Sequence, residues 1–491
     1  MNKRYIGITI GPIFDTICDA TSPAALWFSS FFFSNITKSI CDKLSSSKEL
    51  GEVIIYSPYY NKEISLDDGV GKFHDRIICS ITQYKKDVLD DIITNVKKDM
   101  IQAFPLEKLE IRKEQVEMFL NDYLQILYVV KEDIQQVNCV LELSPYLDAI
   151  ELMRTIPKNG SINIFHRMFM GDCSNSNRNL YIKESKLFKG VKNNPLVGVA
   201  GNIKSIEDIA NDKVDGLKYQ KYFAVVSVDG DNMGGILQNL RSDEEILEFS
   251  KLCLEYAENA SKIIKEYGGM TIYAGGDDLL FLAPVQHKEK NIFNLCNEIN
   301  NAFDIFSKKY GEIIDNNCSK PTVSIGISIQ YYKHPLYEAI NCARELLWRA
   351  KENGKNRIVI DLRKHSGQSI ETIIKNDEVD NVLMLLEFGR RDSMVSVQSL
   401  IYVLNEFRTL INIMNNNLDK EIQSEADYTK YESKWCNLFD NSCQEYAIDY
   451  IKGICRIYYD KFLFDKNCEN TVDKLLTILR IKKFLLEKEG I

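Results

Sequence analysis

Two short apolar runs, Thr271–Ala274 and Leu279–Leu282, bracket the tetrapeptide Gly275-Gly276-Asp277-Asp278. Apolar runs of this length around a glycine-rich turn read as a β-hairpin. Its tip then carries two adjacent carboxylates. Glycine gives the turn access to positive φ and lets a phosphate approach the backbone. The carboxylates are costly, because like charges ~4 Å apart repel by about 4 kcal/mol at an effective dielectric of about 20. A turn that needed only polarity would use Asn-Gly. Adjacent aspartates on an apolar hairpin therefore point to a divalent cation.

A second acidic signal lies upstream. The apolar run Tyr222–Val228 ends in Asp229-Gly230-Asp231. A buried strand that delivers a carboxylate beside a hairpin that delivers two more resembles the palm of nucleotide polymerases and cyclases. A few carboxylate oxygens plus substrate phosphates are the ligand set that Mg²⁺ prefers. Asp231 lies two residues from Asp229, on the same strand face. It either supports a second ion or faces water.

Composition sets bounds. At 491 residues the chain has room for two to four domains. Its net charge of −9 argues against a general nucleic-acid coat but leaves room for a local basic groove. The apolar run Leu26–Phe33 is too short to span a bilayer, and no signal peptide is expected. A cytoplasmic protein without membrane contact is therefore expected. The thirteen cysteines form no CxxC pair; Cys436 and Cys443 are the nearest two. Scattered thiols of this kind read as reduced, and a zinc site is not expected.

Residues 222–361 parse as strand, helix, hairpin, helix, strand, helix, strand. The helices are Asp243–Tyr267, Lys288–Tyr310 and Pro335–Asn353. The later strands are Pro321–Ile329 and Arg357–Asp361. This is a ferredoxin-like βαββαβ plan with an added helix–strand unit. The N-terminal region repeats the order: strand Lys3–Ile10, helix Pro23–Lys43, strands Val53–Tyr56 and Phe73–Ile81, helix Gln83–Ala103, and a strand near Leu124–Val130. It has no GGDD-like tip. The predicted fold is α+β: a degenerate first palm (1–154), a connector (155–220), a catalytic palm (221–365) and an all-helical C-terminal domain (366–491). The helical character is read from Ser369 onward, with helices over Val379–Phe388, Val395–Asn415, Tyr446–Phe462 and Thr471–Leu486.

Together these features resemble the large subunit of type III CRISPR effector complexes, most closely the Cmr-type large subunit. The resemblance rests on Gly275–Asp278, on Asp229-Gly-Asp231, on the opening Ile10-Gly-Pro-Ile-Phe-Asp15 with its Trp27-containing helix, and on the tandem palms. A broader kinship to GGDEF-type cyclases is carried by Ser324–Ser328 and Ala350–Arg357. It implies that Lys351 and Lys355 reach a triphosphate, a role suited to lysine as a mobile point charge. The other reading of these lysines is stabilisation of a helix C-terminus.

The resemblance implies a target-RNA-activated nucleotidyltransferase. Its substrate would be ATP and its product an adenylate second messenger, either a cyclic oligoadenylate or a conjugate with S-adenosylmethionine. Asp229, Asp277 and Asp278, with the Gly230 carbonyl and Asp231 as further candidates, would hold two Mg²⁺ or Mn²⁺ ions. Gly275, Gly276, Asn232, Lys351 and Lys355 are the nucleotide-binding candidates. Partners would be the other effector subunits, with guide and target RNA held mainly through them. The alternatives are a stand-alone GGDEF-like cyclase and a catalytically silent scaffold. Members of the family often carry an N-terminal HD nuclease domain and a zinc insert between the palms. With a palm starting near residue 5, the pair His74-Asp75 is expected to lie in a strand and not in a nuclease. Cys173 is the lone cysteine between the palms, so zinc is expected to be lost.

Overall fold

The computed structural model describes residues 3–134, 138–153, 163–170, 179–198, 202–210, 216–311, 320–389, 394–416, 424–439, 445–463 and 471–488. Two mixed α/β units are followed by helices, as the sequence reading expected. The first unit contains β1 (Arg4–Gly11), α1 (Ile13–Cys18), α2 (Pro23–Ser46), β2 (Val53–Ser57), β3 (Arg76–Ile81), α3 (Lys86–Met100) and β4 (Gln125–Lys131). Its antiparallel sheet has the order β2-β3-β1-β4. Then α4 (Cys139–Glu151) packs on β1 and β4.

The second unit contains β5 (Tyr222–Asp231), α5 (Met233–Asn239), α6 (Asp243–Glu266), β6 (Met270–Gly275), β7 (Asp278–Pro284), α7 (Ile292–Tyr310), β8 (Thr322–Tyr331), α8 (Leu336–Glu352), β9 (Arg357–Arg363) and β10 (Ser369–Lys375). The sheet order is β10-β9-β8-β5-β7-β6. The four strands β8-β5-β7-β6 reproduce the order β4-β1-β3-β2 of the first unit. Both units are therefore ferredoxin-like, and the second carries an added α8-β9-β10 flap.

Period-2 alternation along β5 decides what each face meets. Ala224, Val226 and Val228 join a core with α6 and α7. Phe223 and Val225 face the other way, into a core shared with the first palm and α8. The second palm is thus a sheet buried on both sides. Local signals agree with this plan. Ser242 caps α6 by accepting from the Glu245 amide, and Glu245 accepts in return from the Ser242 amide. Gly326 on β8 lets α8 lie close, because a Cβ there would come within 2.2 Å of the Ala343 carbonyl oxygen and 2.3 Å of the Leu347 nitrogen.

Three expectations need correction. The third strand begins at Arg76, so His74 and Asp75 precede it. The chain is diverted there because Gly71 bridges to Tyr273 and the Phe73 amide donates to Ser34 Oγ. The helix expected from Lys288 starts at Ile292, where Asn291 accepts from the Phe293 amide. The chain is not helical from Ser369: Ser369–Lys375 pairs with β9 as the outer strand of the palm sheet. Helices begin at Val379 and run as Val379–Glu387, Met394–Glu406, Arg408–Asn416, Glu425–Phe439, Glu445–Tyr458 and Thr471–Leu486. The connector also folds in part. Phe165, Phe169 and Phe188 pack against Phe28, Phe32 and Trp27 of α2. Cys173, Cys318, Cys443 and Cys468 lie outside the described residues. No helix among the described residues is long and apolar enough to cross a membrane.

Candidate active site at the cleft between the palms

Register brings the acidic groups together. Strand β5 pairs with β7 as far as Val228↔Leu279, and β6 closes on β7 at Gly275↔Asp278. Asp229 therefore lies one step beyond the last β5–β7 pair, beside Asp278. Gly276 occupies the first turn position with φ +69°, which glycine adopts without strain. Carboxylate oxygens of Asp229, Asp277 and Asp278 all lie within 4.8 Å of one another. Among the described residues this is the only group of three or more His, Cys, Asp or Glu side chains at such spacing.

Gly230 makes room for this crowding. A Cβ on it would sit 2.6 Å from Asp277 Oδ2 and 2.8 Å from Asp277 Cβ. Electrostatics records the cost. Burial, then the Asp229 charge, pushes the Asp277 carboxyl up to about 7. Burial, then Asp277 and Asp229, raises Asp278 well above the carboxylate range. Such a set of hard oxygen donors, short of neutralising charge, fits a divalent cation.

One cation does reach the cluster: Lys351, in the last turn of α8, pairs with Asp229. Lys355, in a left-handed conformation after α8, donates to Asn232 Oδ1 at 2.9 Å. Asn232 in turn donates to the Lys320 carbonyl at 3.1 Å. Asn232, Lys351 and Lys355 thus sit together at the end of β5.

Asp231 is different. It is buried, and its oxygens accept from Thr322 Oγ1, Ser324 Oγ and the Asn356 amide, each at 2.9 Å. The expectation that it could face water is corrected. It ties β5 to β8 and to the turn before β9.

The hairpin divides two cavities, and Asp75, Tyr273 and Asp278 line both. One, of about 270 Å³, is walled by Met233, Leu237, Phe249, Cys253, Asp277 and Ser57. The other, of about 490 Å³, lies between the palms, with Gly11, Phe14 and Asp15 on one side and Asp229, Asp278 and Arg344 on the other. The Arg344 guanidinium lies 3.9 Å from the centre of the Phe14 ring.

Residue-by-residue reading of the sequence missed Asp75, Tyr273, Phe14 and Arg344 as cleft residues. Only the repeated palm plan could have placed the first palm opposite the hairpin. His74 also faces the smaller cavity. Its Nδ1 accepts from the Arg76 amide at 3.4 Å, so Nε2 carries the proton toward Ser57 Oγ at 3.1 Å. Burial lowers its pKa to about 4. A neutral imidazole with that tautomer neither ligates a metal through Nε2 nor activates Ser57.

Residues 222–359 match the family model of the Cas10/Cmr2 second palm domain. Over these residues the chain is similar to that Cas10/Cmr2 palm. The CRISPR system Cmr subunit Cmr2 of Pyrococcus furiosus is 29% identical over a 214-residue alignment that covers 38% of this chain and 23% of that protein. The chain therefore matches less than a quarter of that relative's length. The Csm1–Csm4 cassette in complex with cA4 superposes with a TM-score of 0.56 at 14% identity, covering 99% of this chain and 70% of that one. The type III-B Cmr-beta apo structure gives a TM-score of 0.56 at 11% identity, covering 85% and 76%. Csm1 of T. onnurineus gives 0.56 at 14%, covering 99% and 70%. These superpositions establish a shared fold along nearly the whole chain. The resemblance to type III large subunits read from the sequence is borne out.

Proposed function

We propose that this chain is the nucleotidyltransferase of a type III CRISPR effector, converting ATP to an adenylate messenger when the assembled complex holds target RNA. The convergence of Asp229, Asp277 and Asp278 between two cavities carries the reading. Such a reaction joins an acceptor hydroxyl oxygen to the α-phosphorus of ATP and releases pyrophosphate. Asp229, Asp277 and Asp278 would hold the divalent ions, which supply charge neutralisation and activation of the hydroxyl. The smaller cavity, apolar along α5 and α6, suits a purine. Lys351 and Lys355 stand at the end of β5, within reach of the phosphates. The rest of the catalysis is alignment, because a misplacement of about 1 Å costs roughly a hundredfold in rate. Relatives in complex with cA4, pppApA and AMPPNP support an adenylate chemistry. Relatives described as a Csm1–Csm4 cassette and a Cmr-beta assembly support partner subunits.

The larger cavity bears on the acceptor. Asp15, Asp75, Glu151, Asp229 and Asp278 line it, against a single arginine, Arg344. Glu151 is paired with Arg76, but Asp75 has no ion pair among the described residues. A second triphosphate would add four negative charges to this wall. S-adenosylmethionine is a net cation, with a sulfonium and an ammonium against one carboxylate, so Asp15 and Asp75, the lining carboxylates outside the ion-holding set and the Arg76 pair, favour it as acceptor over a second ATP. The deciding experiment incubates the assembled complex with labelled ATP, Mn²⁺ and target RNA, with and without S-adenosylmethionine, and identifies products by mass. No nucleotide product in either mixture rejects the enzymatic reading in favour of a scaffold. Equal synthesis without RNA favours a constitutive cyclase.

A further inference from the structure

The second palm has a basic pocket at the end of its sheet opposite the acidic cluster. Strand β5 enters at Tyr222 and delivers Asp229 seven residues later, about 23 Å away at ~3.3 Å per residue. Around that entry end, Tyr331, Lys333, His334, Arg363, Lys364 and His365 line a cavity of about 310 Å³. Lys333 and His334 follow β8, and Lys364 and His365 form the turn between β9 and β10. Such a concentration of positive charge stands out on a chain of net charge −9.

Neutralisation is incomplete. Arg363 is paired with the buried Asp361 at 3.0 Å, and His334 lies 3.4 Å from Glu338. Lys333 and Lys364 have no ion pair among the described residues; Lys333 lies over the Tyr332 ring, 5.4 Å from its centre. Burial lowers the Lys364 pKa against the opposing pull of Glu487, and Lys218, Lys483 and Arg480 push it in the same direction. The positive field therefore extends onto the last helix, Thr471–Leu486.

Tilted rings cluster at the pocket. The centre of Tyr331 lies 4.5 Å from that of His365 and 4.7 Å from that of Tyr332. His365 is exposed and forms the outer layer. Basic side chains beside an open aromatic face are the pairing used for single-stranded nucleic acid: the charges track phosphates and the ring takes a base. An acidic protein surface would need the charges alone. We propose that this pocket binds a single-stranded RNA segment, with Lys333 and Lys364 on backbone phosphates and a base against His365. The site is separate from the acidic cluster and gives the chain its own RNA contact, beyond any made through partner subunits.

The test uses the full chain in EDTA, which keeps the acidic cluster from recruiting RNA through metal. A 5′-labelled 12-nucleotide RNA is titrated by fluorescence anisotropy from low to moderate salt. Lys333→Glu with Lys364→Glu is expected to weaken binding by at least about tenfold. It should also flatten the slope of log K against log salt by about 1.4, the value for two single-strand phosphate contacts. His365→Ala should weaken binding several-fold without changing the slope. Asp277→Ala with Asp278→Ala should bind like the wild type, so failure of the proposed catalysis would leave this result standing. Unchanged affinity and slope in the lysine variant overturn the proposal. So does binding of a polyglutamate probe as tightly as RNA, which would assign the pocket to an acidic protein. Thermal melts of each variant check that the fold is kept.

Discussion

Lys351 on α8 pairs with Asp229 at the end of β5, so the one cation paired with the acidic cluster among the described residues comes from the helix that flanks it. Its charge lowers the Asp277 and Asp278 pKa values, opposing burial. Lys351 therefore holds a place that a divalent ion would contest. Lys351→Ala is expected to leave the acidic cluster less neutralised. Its thermal midpoint without metal should fall, and the gain on adding Mn²⁺ should exceed that of the wild type. Nucleotide synthesis should drop by about ten- to a hundredfold, the loss of a charge-assisted phosphate contact of roughly 1.5–3 kcal/mol. A variant with wild-type synthesis would place Lys351 in the helix-capping role instead.

The like charges of the cluster make a second expectation. Asp277→Ala with Asp278→Ala removes two carboxyl groups whose ionised forms are disfavoured where they stand. The double variant should be as stable as the wild type or more so, yet make no detectable nucleotide product. Melting in EDTA and product analysis with Mn²⁺ measure the two halves. Retained synthesis would reject these residues as ligands.

The pH dependence follows with a definite sign. Asp277 titrates near 7 when folded and near 3.8 when unfolded. Between those values the folded state binds more protons, so this group's contribution to metal-free stability declines as pH rises from about 4 to about 7. Divalent ions need the ionised form. The rise in melting temperature on adding Mn²⁺ should be small at pH 5.5 and reach its full size by pH 8. A shift of equal size at both values would show that Asp277 is not a ligand.

Gly230 separates position from chemistry. Gly230→Ala removes no ligand, but its methyl would overlap Asp277. The expected cost is about 1–3 kcal/mol of stability, typical of overpacking, with synthesis lost to nearly the same degree as in the aspartate variant. Wild-type activity in this variant would mean that the Asp277 placement does not matter to turnover.

How far the sequence reaches is clearest along β5 and its neighbours. The run Tyr222–Val228 and the pair Thr271–Ala274 and Leu279–Leu282 are legible because buried strands need unbroken apolar runs, and Gly276 marks the turn. Asp229 and Asp231 looked alike because period-2 alternation puts them on one face. Only the cross-strand neighbours Thr322 and Ser324 tell the structural carboxylate from the one in the cluster. Asp75 was misplaced into a strand because the Gly71–Tyr273 bridge is a contact between distant segments, which local pattern cannot reveal. Ser369–Lys375 was read as helical ground because its strand character depends on the edge that β9 offers. Arg344 carried no signal at all, since an exposed arginine on an amphipathic helix is ordinary until Phe14 of the other palm is brought over it.

Asp75 offers the sharpest test of the acceptor. It lines both cavities, burial raises its pKa, and no ion pair among the described residues neutralises it. Its backbone carbonyl accepts from the Ile10 amide, which holds the residue at the start of β3 whatever its side chain. Asp75→Asn keeps the shape of the side chain and removes its charge. If a cationic acceptor such as S-adenosylmethionine occupies the larger cavity, the KM for that acceptor should rise about tenfold or more, the range of a lost hydrogen bond between charged groups at roughly 1.5–3 kcal/mol. The dependence on ATP should change less, because the apolar residues along α5 and α6 and the lysines at the end of β5 are untouched. If the acceptor is a second ATP, removing a negative charge from the wall should leave the rate unchanged or raise it. Steady-state kinetics with each acceptor varied in turn, using the assembled complex and target RNA, distinguishes the two directions. A fall in ATP-only oligomer synthesis on Asp75→Asn would contradict the electrostatic argument for a cationic acceptor.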